Sequence, residues 1–140
     1  MKKSITVNAS CEAVWKAILS YRTSEPSKRK VTSSSEGNAV IEEKFGAVPV
    51  VGASRVVYKE TEKPYKRIDY VLVESDKLNK FHGSWILAEK EGGKGMVVEL
   101  TTELDSALPI PFKEHILNSQ ALADIEKRLH YVKRQAEKGG

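Results

Sequence analysis

Histidine, cysteine and tyrosine are the side chains here most able to do chemistry, and their spacing narrows what that chemistry could be. His82, His115 and His130 lie far apart, and Cys11 is the only thiol, so no C-x-x-C pair or histidine–acid spacing builds a metal site. A hydrolase needs a nucleophile, a base and an orienting acid, yet no G-x-S-x-G occurs and no catalytic set stands out. Gly92-Gly93-Lys94-Gly95 has the look of a phosphate loop, but it joins two alternating segments and no helix follows to present its N-terminus to phosphate. It reads as a hairpin turn. Tyr58, Tyr70, His82, Thr102 and Asn79 remain as groups that could orient a small molecule or move a proton. Of these, His82 alternates against Phe81 and Trp85 and is expected to face solvent.

Composition limits the setting. The 140 residues, 40% of them apolar, suffice for one domain with a real core, taken as residues 1–140. A net charge of +4 invites a nucleic-acid reading. The basic groups are dispersed, however: Lys28-Arg29-Lys30 and Lys127, Arg128, Lys133, Arg134 are interleaved with Glu126 and Glu137 as on a solvated face, so no nucleic-acid partner is expected. Cys11 cannot form an internal disulfide, Ser4 to Asn8 alternates where an export signal would be continuously apolar, and no segment reaches the roughly 18 to 20 apolar residues that span a bilayer. A cytoplasmic location fits best. The sequence calls for no cofactor and leaves the oligomeric state open.

The elements that must position these groups follow from periodicity. A strand is predicted at Lys3–Asn8, then a helix with Ser10 as N-cap, Glu12 in its first turn and Val14, Trp15, Ile18 and Leu19 at helical spacing. From Arg29 to Asp105 the pattern is period two, giving strands at 30–35, 39–45, 54–62, 66–75, 79–90 and 95–105, with turns at Glu62-Lys63-Pro64-Tyr65 and Glu91 to Gly95. Met96, Val98, Leu100 and Leu104 share one face while Glu99, Glu103 and Asp105 share the other, which indicates an antiparallel sheet covered on one side. Beyond Pro111 the chain reads as helix to about Lys138, with Ile116, Leu117, Leu122, Ile125, Leu129, Val132 and Ala136 forming the stripe that covers the sheet. Asn118-Ser119 leaves open whether this is one helix or two.

That order, strand, helix, antiparallel meander and long C-terminal helix, resembles the START-like (SRPBCC, Bet v 1-like) superfamily over essentially the whole chain. The run Ile5 to Trp15 is similar to its opening strand and tryptophan-bearing helix, Phe81-His82-Gly83-Ser84-Trp85-Ile86-Leu87 to its F-x-G-x-W-x-L strand, and Thr61 to Tyr70 to its proline hairpin. The resemblance implies an α+β helix-grip fold, a curved antiparallel sheet of about seven strands wrapped around the C-terminal helix. It also implies an internal cavity for a lipid, polyketide or quinone-like ligand. Parity then nominates Ile68, Tyr70, Leu72, Phe81, Trp85, Leu87, Met96, Val98 and Leu100 as its wall, with Phe112, Ile125 and Leu129 from the C-terminal segment. Val56 and Tyr58 join them, although a one-residue slip would exchange them for Val57. Gly46–Gly52 and Leu108–Phe112 are apolar loops that could form a rim admitting ligand or touching a membrane surface. Binding or carriage of an apolar molecule is the leading expectation and requires no catalysis. A polyketide cyclase/dehydrase-like enzyme is the alternative, and a protein-interaction module a third.

Overall fold

The computed structural model describes residues 1–48 and 52–139; of the apolar Gly46–Gly52 segment expected to form a rim, Pro49, Val50 and Val51 lie outside the described residues. Strand β1 (Lys2–Val7) leads into α1 (Cys11–Ser20) and a short 3-10 turn, Tyr21–Thr23. Strands β2 (Arg29–Ser35), β3 (Asn38–Val48), β4 (Gly52–Lys63), β5 (Arg67–Ser75), β6 (Leu78–Glu89) and β7 (Met96–Ser106) follow, and α2 (Lys113–Gly139) ends the fold. The strands form one seven-stranded antiparallel sheet in the order β1-β7-β6-β5-β4-β3-β2. The α+β helix-grip reading holds, and α2 is a single helix running unbroken through Asn118-Ser119.

Local chemistry accounts for the boundaries. The Ser10 hydroxyl accepts the Ala13 N–H at 3.1 Å and caps α1, whose Val14, Trp15, Ala17 and Ile18 are buried. The β6–β7 turn takes positive φ at Gly92, Gly93 and Gly95, where side chains are disfavoured. Along β7 burial alternates, and α2 sets Ile125, Leu129, Val132 and Ala136 into the same core as Ile68, Trp85, Val98 and Leu100.

β4 turns Val56 and Tyr58 to the core, and its neighbour β5 carries a bulge opposite them. Tyr58 pairs with Leu72 and Val57 with Glu74, so Val73 is an extra residue on β5. Val56 and Tyr58 enter the main core; Val57 is buried too, but outside that cluster.

Glycine at position 83 has a positional reason. Tyr70 pairs with Gly83 across β5–β6, and a Cβ on residue 83 would stand 2.0 Å from the Thr101 carbonyl oxygen and 2.5 Å from the Tyr70 hydroxyl. The missing side chain is the space through which Tyr70 reaches β7.

Candidate functional site

The covered face of the sheet carries a belt of aromatic rings. Phe81 stands at its centre, with ring centroids 5.3 Å from Phe45, 5.2 Å from Tyr58 and 5.1 Å from Tyr70. These tilted and edge-to-face contacts are the favourable geometries for aromatic packing. Trp85, next inward on β6, packs in the same core.

Of the positions nominated by parity, Val56, Tyr58, Ile68, Tyr70, Phe81, Trp85, Leu87, Met96, Val98, Leu100, Ile125 and Leu129 are all buried in one cluster. Leu72 is half-buried at its margin. Phe112 is not part of the wall: it is 85% exposed. Its carbonyl accepts the Ile116 N–H at 3.0 Å at the start of α2, and its φ of 54° turns the chain there; Ile110, two residues earlier, is buried in a small cluster with Ile116. Among the polar candidates Tyr58, Tyr70 and Thr102 point inward, whereas His82 and Asn79 are exposed. The Tyr70 hydroxyl lies 2.6 Å from the Thr101 carbonyl and 2.5 Å from the Thr102 hydroxyl.

Beneath the aromatic belt lies a buried ionic cluster. Glu43 on β3 is its hub: Oε2 accepts from Arg29 Nη2 at 3.0 Å, both oxygens accept from Arg128 Nη2 at 2.9 and 3.0 Å, and Oε1 accepts from the Tyr58 hydroxyl at 2.8 Å. Burial alone would raise the Glu43 carboxyl, but Arg128 and Arg29 outweigh it and hold it at about 2. Arg128 Nε also donates to Asp124 at 2.7 Å, one turn earlier on α2. Both guanidinium groups sit over the Tyr21 ring, Arg29 at 3.9 Å and Arg128 at 4.8 Å from its centroid. Beside them Arg22 donates to Glu60 at 2.6 Å and to Glu62 at 2.9 Å. Burial dominates at Glu60 and raises its carboxyl in spite of Arg22, and burial likewise raises the hydroxyls of Tyr58 and Tyr70.

Arg128 corrects the reading of its segment as a solvated face, since it is buried and paired with Glu43 and Asp124. The signal was present in the sequence. Glu43 shares the parity of Ala39 and Ile41, Glu60 that of Val56 and Tyr58, and Arg128 falls on the helical stripe of Ile125 and Val132. Charges on apolar stripes are buried only when paired, so three of them together imply one another.

Side chains fill the interior. Among the described residues Phe81 lines two small cavities of about 10 Å³ each. One is apolar, between Phe45, Phe81, Leu104, Gln120 and Asp124 under the N-terminal half of α2. The other is polar, between Tyr58, Glu60, Tyr70, Phe81, Trp85 and Arg128. Each is the size of one water. Among the described residues no group of three or more His, Cys, Asp or Glu is placed to hold a metal ion. No described helix is long and apolar enough to cross a membrane.

The family described as polyketide cyclase / dehydrase and lipid transport matches residues 1–137. The chain belongs to this family. No curated protein matches it. Solved structures of this START-like group match nearly end to end. The Zhui aromatase/cyclase from Streptomyces sp. R1128 is 14% identical with a TM-score of 0.77, covering 99% of this chain and 93% of that one. The protein TTHA0849 from Thermus thermophilus is 16% identical with a TM-score of 0.76 (100% and 98% covered). A START superfamily protein from Mycobacterium smegmatis is 13% identical, also at 0.76 (100% and 98%). At these identities the likeness speaks for the polyketide cyclase/dehydrase and lipid-transport fold, in which the sheet grips the last helix. The family's two named activities share one requirement, the handling of an apolar small molecule.

Proposed function

We propose that the protein binds an apolar small molecule of lipid or polyketide type between the sheet and α2. The observation that carries this reading is the aromatic belt divided by Phe81, with a cavity on the apolar side and another on the polar side. Ligand sites of this kind hold about 300 to 1,000 Å³, far more than the roughly 10 Å³ of either cavity, so binding must move the wall.

The part best suited to move is the chain from Ser106 into the first turns of α2. Ile110 and Ile116 make a small cluster of their own, apart from the main core, and Lys113 holds the segment by bonds to the Ser106 carbonyl at 3.0 Å and to Asp105 at 3.4 Å. A segment with few core contacts opens at low cost. Farther along, Ile125, Leu129, Val132 and Ala136 fix α2 to the sheet. Lifting the first turns would join the Phe45–Leu104 cavity to solvent, and rotation of Phe81 would join it to the polar one.

The test is NMR with a simple apolar probe, 2-naphthol. Intermolecular Overhauser contacts to Phe81, Trp85 and Ile125 are expected. Contacts confined to exposed side chains such as Phe112 would overturn the reading. A second reading, a cyclase/dehydrase-like enzyme, is favoured by one observation: Tyr58, Tyr70 and Glu60, all able to exchange protons, line the same cavity as the cation of Arg128. Loss of turnover of a poly-β-keto substrate in Tyr70→Phe, with binding retained, would support it.

A further inference from the structure

We infer that the polar cavity takes the hydroxyl of an otherwise apolar ligand, so that the ligand class is a phenol or alcohol and not a carboxylate or phosphate. This deepens the binding reading above and rests on it.

The argument is one of unused hydrogen-bonding capacity among the lining residues. Both oxygens of Glu43 are occupied, by Arg29, Arg128 and Tyr58. The Tyr70 hydroxyl is held between Thr101 and Thr102. Arg128 uses Nε on Asp124 and Nη2 on Glu43, and among the described residues its Nη1 has no acceptor. Glu60 uses Oε1 on Arg22, and among the described residues its other oxygen has no donor. Arg128 Nη1 and Glu60 Oε2 are therefore an unused donor and an unused acceptor on two residues lining one cavity of about 10 Å³, and the indole N–H of Trp85, without an acceptor among the described residues, is a second donor on its wall. A hydroxyl can accept from the guanidinium and donate to the carboxylate, and that volume admits one oxygen.

Charge excludes the other polar heads. Arg22, Arg29 and Arg128 supply three positive charges, while Glu43, Glu60, Glu62 and Asp124 supply four negative ones, for a balance of −1. A ligand anion would add to the excess in a medium that screens poorly, and an ammonium would meet Arg128. The two buried donors without partners, Arg22 Nη2 and Arg29 Nε, belong to residues that line neither cavity, so they do not reverse this preference. The apolar remainder of the ligand would run past Phe81 towards Phe45 and Leu104.

Four probes of one shape test this on the unsubstituted protein by calorimetric titration at pH 7.5: 2-naphthol, 2-methoxynaphthalene, naphthalene and 2-naphthoate. A hydrogen bond to a charged group changes affinity by about tenfold or more, so 2-naphthol is expected to bind at least about tenfold tighter than each of the others. The methoxy compound can accept but not donate, so its matching 2-naphthol would overturn the role of Glu60. Naphthalene matching 2-naphthol, or 2-naphthoate exceeding it, would overturn the hydroxyl inference and leave apolar binding standing. Failure of all four to bind would refute both. In Glu60→Gln the ratio of 2-naphthol to naphthalene affinity should shrink; an undiminished ratio would place the hydroxyl elsewhere.

Discussion

Replacing Arg128 by methionine should destabilise the protein far more than any other removal of a single basic side chain from α2. Methionine keeps the apolar stem against its neighbours but deletes the bonds to Glu43 at 2.9 and 3.0 Å, the bond to Asp124 at 2.7 Å and the stacking on Tyr21. Arg29 and Tyr58 would still hold Glu43, but with one compensating cation in place of two. Removing one partner of a buried ion pair costs about 3 to 5 kcal/mol, which for a chain of this length is a fall in Tm of roughly 10 to 15 °C. The neighbouring Lys127→Met is the control, because its pair with Glu25 at 3.1 Å is solvent-exposed and worth less than about 1 kcal/mol. Urea unfolding of both variants beside the parent measures the difference. If Arg128→Met costs no more than Lys127→Met, the cluster is not the buried, coupled unit described above.

Other expectations follow from the same geometry. Glu43 is held at about 2 in the folded protein against 4.5 when unperturbed, so its contribution is complete above about pH 5 and fades as pH falls towards 2. The loss is about 3 kcal/mol, and Glu43→Gln, though less stable at neutral pH, should show a flatter acid limb in stability measured against pH. Gly83→Ala would force a Cβ to 2.0 Å from the Thr101 carbonyl, and a loss of more than about 2 kcal/mol is expected, unrelieved by Tyr70→Phe because the backbone clash remains. Ser10→Ala removes the cap of α1 and should cost about 1 kcal/mol by thermal melting.

The sheet, the helices and most of the buried face were legible because they depend on period. Met96, Val98 and Leu100 could not face the core without placing Glu99 towards the other side, and the Ile125–Leu129–Val132 stripe needed a sheet to cover. The facing of Val56 and Tyr58 was not decidable from alternation, since Val56, Val57 and Tyr58 are all apolar-bodied and all buried, so both faces of β4 read alike. Phe112 was misplaced because hydrophobicity says nothing of a backbone turn: its φ is 54° and its ring is exposed, while Ile110 is buried in a small cluster apart from the main core. The ionic cluster was missed for another reason. Each charge taken alone reads as surface, and only pairing across 85 residues, from Glu43 to Arg128, makes burial tolerable. Cavity volume was equally hidden, because a ring such as Phe81 satisfies the inward parity whether the space beside it is hollow or filled.

The central claim, that the interior between sheet and α2 receives an apolar small molecule, is tested most directly by native mass spectrometry of the protein purified from its own host without denaturation. The account predicts a bound species of one apolar molecule per chain that is released on unfolding and, added back, broadens or shifts the NMR signals of Phe81 and Trp85. A bare chain mass from every preparation, together with no shift of those signals when host lipid extract is added, would contradict it.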